Sequence, residues 1–202
     1  MIEIKNLCKS FGEKVIFKDF NEKINDGEFV IFAGRSGCGK TTLLNLIGAL
    51  EKPDGGVITV DGRDINNGRT QREYFSTKVG FLFQNFALLE NKSVQYNLSL
   101  IPAKNRTQLP FSDALKQVGL EGREKTLVYK LSGGEQQRVA LARLMVKKCE
   151  LILADEPTGS LDSANADVVL NILKKLNADG KTVILVTHDE RIIRSGERVI
   201  RL

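Results

Sequence analysis

Apolar residues in this chain fall into short, nearly continuous runs, separated by stretches of helical period. Phe29-Val30-Ile31-Phe32-Ala33, Val79-Gly80-Phe81-Leu82-Phe83, Leu151-Ile152-Leu153-Ala154 and Thr182-Val183-Ile184-Leu185-Val186 each read as a strand buried on both faces. A sheet with one wet face would alternate instead, so these runs point to a mainly parallel sheet covered by helices. Thr42–Ile47 reads as a helix, and so does the stretch from Ala164 to Leu176, where Val168, Val169, Ile172, Leu173 and Leu176 share a face. A further helix is expected from Ser132 through Val146, and a short final strand over Arg198–Leu202. Alternating strands and helices of this kind make an α/β fold.

Two regions depart from that rhythm. In the first, Ile2, Ile4 and Leu7 mark a short strand, and Val15–Phe17 and Phe20–Ile24 mark two more, with breaks at Gly12 and Asn25-Asp26-Gly27. Val57–Val60 follows the turn Pro53-Asp54-Gly55-Gly56. In the second, from Ser93 to about Lys130, the chain is more polar. Helical signals at Val94–Leu100 and Ser112–Val118 flank a loop from Pro102 to Pro110. The expected organisation is a single α/β domain with a mainly parallel sheet and an N-terminal antiparallel β subdomain, spanning residues 1–92 and 131–202. Residues 93–130 form an inserted helical subdomain.

Composition sets bounds without choosing a function. A chain of 202 residues, 42% hydrophobic and 27% charged, has the make-up of one soluble globular domain. The net charge is +5, but the basic residues are dispersed, with Lys147-Lys148 and Lys174-Lys175 only pairs. They read as solvated helix faces, and no nucleic-acid partner is expected. No apolar run approaches the roughly 18 residues that span a bilayer. Met1–Lys5 enters an alternating strand directly, so no signal peptide is expected, and a membrane process would draw its membrane segments from another polypeptide. Cys8, Cys38 and Cys149 lack metal-ligand spacing, which fits a reducing compartment.

The chemistry concentrates at strand ends. Gly34-Arg35-Ser36-Gly37-Cys38-Gly39-Lys40-Thr41-Thr42 fits G-x-x-x-x-G-K-[ST], between a buried strand and an apolar helix. Glycines let successive N–H groups curl around phosphate oxygens, Lys40 supplies a charge for the β- and γ-phosphates, and the Thr41 hydroxyl suits Mg²⁺. The competing reading is a glycine-rich turn that binds nothing. Cys38, inside this loop, is expected to favour its thiolate through amide dipoles and Lys40, so that alkylation blocks ATP hydrolysis and ATP protects. Asp155 and Glu156 end the strand Leu151–Ala154, where ligands bind in open α/β sheets. Asp155 suits Mg²⁺, and Glu156 suits polarising a water. Gln84 also follows a strand. It either reaches Mg²⁺ or the attacking water, or is a turn glutamine with apolar packing behind it. His188, the single histidine, directly follows Val183–Thr187 and is placed for the γ-phosphate or that water.

One segment is more telling than any of these. Leu131-Ser132-Gly133-Gly134-Glu135-Gln136-Gln137-Arg138 places two glycines inside the S-x-x-E spacing of a capping box, so a helix starts there with free N–H groups. Taken together, the phosphate loop, Gln84, Leu131–Arg138, Leu151–Pro157, Ser160-Leu161-Asp162 and His188 resemble, in residues and order, the nucleotide-binding subunits of ABC transporters. The resemblance covers essentially the whole chain. It implies a P-loop NTPase core binding ATP and Mg²⁺, with Gly34–Thr42 as Walker A and Leu151–Asp155 as Walker B. It also implies Glu156 as catalytic base, Gln84 as Q-loop glutamine, Asp162 as D-loop aspartate, His188 as switch histidine and Phe11 as the ring stacked on adenine.

The resemblance implies as well a head-to-tail pair of such domains, most simply a homodimer, in which Ser132, Gly133, Gly134 and Glu135 face the ATP of the partner. Its further implications are a separate transmembrane permease docked at the Gln84–Leu89 loop and the helical insertion, and a cytoplasmic position on the inner face of the membrane. Gly80–Leu89 resembles most the macrolide-exporter, lipoprotein-release and antimicrobial-peptide-export branch. The alternatives are a soluble ABC ATPase acting on nucleic acid or ribosomes, and a phosphate-loop kinase with no use for Ser132.

Overall fold

The computed structural model describes residues 1–159, 161–194 and 198–202. Two sheets carry the chain. The first is antiparallel: β1 (Ile2–Phe11), β2 (Lys14–Ile24), β4 (Gly55–Val60) and β5 (Arg63–Asp64), in the order β2-β1-β4-β5. The second is parallel: β3 (Phe29–Ala33), β6 (Val79–Leu82), β7 (Leu151–Asp155), β8 (Thr182–Thr187) and β9 (Arg198–Arg201), in the order β6-β7-β8-β3-β9. Every residue of β3, β7 and β8 is buried, as their unbroken apolar runs require.

The helices are α1 (Lys40–Ile47), α2 (Gly68–Glu73), α3 (Val94–Ser99), α4 (Phe111–Gln117), α5 (Gly133–Val146), α6 (Ser163–Ala178) and α7 (Glu190–Ile193). One apolar cluster packs α1 between the two sheets, with Leu43, Leu44 and Ile47 against Phe32 of β3 and Ile58 of β4. The other joins α3, α4, α5 and α6 to the opposite face of the parallel sheet. Two sheet faces and two clusters account for the strong hydrophobic runs.

The N-terminal region differs from the expectation. The short strand and the two that follow it are two long strands, β1 and β2, paired with register shifts. Asp19 adopts φ +52°, which bends β2 without ending it. Its carbonyl accepts a hydrogen bond from Asn21 Nδ2 (2.7 Å), and Asn21 Oδ1 accepts one from the Asn6 amide of β1 (2.9 Å). The bulge therefore fills its own gap with polar groups, and the local loss of alternation reads in sequence as a break. Residues 68–78, without a signal of their own, form α2 and a π-helical turn over Tyr74–Lys78. The segment from 93 to 130 is stitched at its base, where Ser93 bridges Leu127 and the Val94 amide donates to Thr126 O (2.9 Å).

Candidate nucleotide site at the carboxyl edge of the parallel sheet

Four adjacent parallel strands deliver their carboxyl ends to one edge. Ala33 pairs with Thr187, and Asp155 with Val186, so Gly34, His188, Glu156 and Gln84 emerge side by side. A cleft of about 740 Å³ opens there. Its floor is the phosphate loop, from Arg35, Ser36, Gly37 and Gly39 to Lys40, Thr41 and Thr42. Gln84, Glu156 and His188 form one side, and Phe11, Lys14 and Ile16 of the antiparallel sheet form the mouth.

The loop closes on its own lysine. Lys40 Nζ donates to Gly34 O (2.8 Å) and Arg35 O (3.1 Å), and the Cys38 amide donates to Arg35 O (3.3 Å). Gly39 has φ +105°, and a Cβ there would lie 2.5 Å from Ile16 Cγ2, so only glycine fits. Cys38 and Gly34 are absent from the cleft wall. The Cys38 thiol points behind the loop, where a Cβ on Gly34 would meet its sulfur at 2.6 Å, into a hollow shared with Phe17 and Leu202. The side chain is thus set behind the phosphate loop.

Behind Lys40, the Thr41 hydroxyl donates to Asp155 Oδ1 at 3.1 Å. Asp155 is 9% exposed. Burial pushes its carboxyl above the usual range; the Thr41 hydrogen bond opposes that shift and the neighbouring Glu156 charge adds to it. A hydroxyl and a carboxylate side by side are hard oxygen donors, which fit Mg²⁺ completed by phosphate and water. No cluster of three or more His, Cys, Asp or Glu residues able to hold a metal exists among the described residues.

Glu156 sits in a left-handed conformation, φ +43°. Its carboxylate is held from two sides: Thr187 Oγ1 donates to Oε2 (3.2 Å), and His188 Nδ1–H to Oε1 (2.8 Å). Lys40 Nζ lies 4.0 Å from the same Oε1. His188 is exposed at the cleft, its side chain 68% accessible. Phe11 is 51% exposed, an unusual position for a large apolar ring, and Lys9 Nζ lies 5.0 Å from its centroid.

Ser132, Gly133, Gly134, Glu135 and Asp162 are not in this cleft. Ser132 caps α5: its hydroxyl accepts from the Glu135 amide (3.3 Å), and Glu135 Oε2 accepts from the Ser132 amide (2.9 Å). Ser132 and Gly133 are exposed. Asp162 caps α6 through the Asn165 amide (2.8 Å), and Asn165 packs against Gly134, so the two helix starts adjoin. Ser160, between Gly159 and Leu161, lies outside the described residues.

The site thus splits into a cleft and a separate exposed edge. The ABC transporter family model matches residues 17–159. The chain belongs to the ABC transporter family. It is an ATPase cassette of that family. The chain is 44% identical, over its whole length, to a macrolide export ATP-binding/permease protein MacB of Campylobacter jejuni subsp. jejuni serotype O:23/36 (strain 81-176), and covers 33% of that protein. It therefore spans about a third of the length of the MacB proteins it matches. It is 38% identical to the uncharacterized ABC transporter ATP-binding protein MJ1508 of Methanocaldococcus jannaschii, covering 100% of this chain and 95% of that one.

Among solved structures, the dimeric structure of MJ0796, a bacterial ABC transporter cassette, superposes with TM-score 0.89 at 39% identity, covering 100% of this chain and 94% of that one. A dimeric post-hydrolysis state of MJ0796 bound to ADP and Pi gives TM-score 0.87 at 38% identity, with the same coverage. Two residues of the ABC cassette escaped the sequence reading. Thr187 positions Glu156, and Gln137, 1% exposed, donates to Pro157 O (2.8 Å) beside it. Thr187 ends a buried strand next to His188, and that position is the signal for it. Gln137 lies within the Leu131–Arg138 segment, but nothing there names its partner, a backbone carbonyl 20 residues away.

Proposed function

We propose that this chain binds Mg·ATP in the cleft, pairs head to tail with a second copy, and hydrolyses ATP to drive a separate transmembrane permease of the macrolide-exporter branch. The observation that carries this reading is the division of the site. The cleft gathers a phosphate loop with Glu156 and His188, while Ser132 and Gly133 stand exposed at the start of α5, outside it. A second subunit brings such an edge over the open cleft, and the MJ0796 cassette of like fold is dimeric.

In that arrangement Phe11 stacks on the base; base–aromatic stacking elsewhere is worth about 1–3 kcal/mol. Lys40 leaves the Gly34 and Arg35 carbonyls for the β- and γ-phosphates, and the amides of residues 34–42 follow. Thr41 and Asp155 would hold Mg²⁺, which neutralises phosphate charge when bound. Gln84 orients the attacking water. Glu156, fixed by Thr187 and His188, accepts its proton. General-base assistance of this kind contributes roughly 10²–10⁴-fold. Asp162 joins the α6 start to the dimer interface. No helix among the described residues is long and apolar enough to cross a membrane, in keeping with a permease on another segment or chain. The MacB relatives, named as macrolide export ATP-binding/permease proteins, support that partner and an export role. The reading of hydrophobic, peptide or lipoprotein cargo rests on the resemblance of Gly80–Leu89 to the export branch.

The test is Glu156→Gln. In Mg·ATP it is expected to run as a dimer of the 22.4 kDa chain by light scattering. Lys40→Ala in the same background is expected to stay monomeric. A Glu156→Gln chain that remains monomeric at high protein and ATP concentration would overturn the head-to-tail reading.

A further inference from the structure

The Gln84 loop is held by a side chain that none of the motifs includes. Arg143, in the last turn of α5, donates through Nη1 to Ala87 O (2.6 Å) and through Nη2 to Phe86 O (3.0 Å). Phe86 and Ala87 are both left-handed, φ +61° and +48°. Two successive non-glycine residues in that region are strained, so their shape persists only where the surroundings impose it. Arg143 makes no ion pair with any described residue, and burial lowers its guanidinium from the ordinary value. A charged fork desolvated onto two carbonyls fixes geometry more than it adds stability.

The grip extends along the strand. Just past the end of α5, Lys147, in extended conformation, donates through Nζ to Phe75 O (3.0 Å) and Val79 O (2.8 Å) at the other end of β6. Between the two, Leu144 lies over Gly80, where a Cβ would fall 2.4 Å from Leu144 Cδ1. The segment from 75 to 87 is therefore fastened before, along and after β6 to α5 and the residue that follows it. At its other end the same helix begins with Ser132.

We propose that Arg143 is a positioning residue for the hydrolysis step: it holds the Gln84 loop in the left-handed turn that aims Gln84 into the cleft, and through α5 ties that aim to the placement of Ser132. The inference rests on the reading of Gln84 as the residue that orients the attacking water. Two variants and their combination test it. In Arg143→Met, kcat is expected to fall about tenfold to a hundredfold while nucleotide affinity stays within about twofold. Amide exchange is expected to quicken over residues 84–89 and not at the phosphate loop. Arg143→Lys keeps one donor and is expected to turn over between the two, which also provides the reading should the methionine variant not fold.

Gln84→Ala is expected to be as slow as Arg143→Met, and the double variant no slower than either, because both remove the same alignment. Wild-type kcat in Arg143→Met and Arg143→Lys, with Gln84→Ala slow, would overturn the role of Arg143 alone. Losses that multiply in the double variant would do the same. Wild-type kcat in Gln84→Ala would instead overturn the reading of Gln84 on which the inference stands.

Discussion

Glu156 shows how much of this site is decided at single residues. A glutamate at φ +43° is strained, and three hydrogen bonds hold it there: its amide donates to Val186 O (3.0 Å), and Thr187 and His188 take its two carboxylate oxygens. Its neighbour Asp155 is almost buried beside that second carboxylate, and burial favours its protonated form. At neutral pH the ionised Asp155 therefore costs the nucleotide-free fold stability. Asp155→Asn is expected to raise the melting temperature of the nucleotide-free chain by roughly 2–4 °C, about 1 kcal/mol, while abolishing Mg²⁺-dependent turnover. Differential scanning calorimetry with and without Mg·ATP checks both halves. Asp155, Glu156 and His188 were legible because each follows an apolar run. The strain at Glu156 was not, since it arises from contacts with β8.

At the scale of the element, α5 carries both structure and function. Its capping box was readable from Ser132-Gly133-Gly134-Glu135, because the contacts are local. Ser132→Ala is expected to cost about 1 kcal/mol of stability, as lost N-caps do. It is also expected to leave monomer ATP affinity unchanged and, in the Glu156→Gln background, to weaken the Mg·ATP dimer, a split that sedimentation and nucleotide titration resolve. Other polar contacts of α5 and of the residue after it are long-range. Gln137 reaches Pro157 O, Arg143 reaches the Gln84 loop, and Lys147 reaches the π-helical turn. From sequence, Lys147 reads with Lys148 as a solvated helix face, and Arg143 has no assigned role. Conversely, β2 looked broken because the bulge at Asp19 hides its continuity.

For the whole molecule, paired carboxylates set how stability responds to pH. The N-terminal ammonium hydrogen-bonds Asp61 and holds its carboxyl below the usual range, as Arg191 does for Asp189 and the Ser132 amide does for Glu135. In each, the folded form binds protons less readily than the unfolded one. Their stabilisation is complete above the ordinary carboxylate values and is lost as pH falls through the lower, folded values. Melting temperature is expected to drop as pH falls below about 4.5, the ordinary glutamate value. A melting temperature unchanged down to pH 3 would contradict these pairings.

The parallel core, the phosphate loop, the cap of α5 and the order of motifs are legible in the residues alone, because each depends on neighbours within about one turn or on unbroken apolar runs. That the Cys38 thiol lies behind the loop, and that Thr187 and His188 share one carboxylate, emerges only when the chain is folded. Those facts depend on which strand ends meet, and strand order is fixed by packing both faces of the sheet at once rather than by any local pattern.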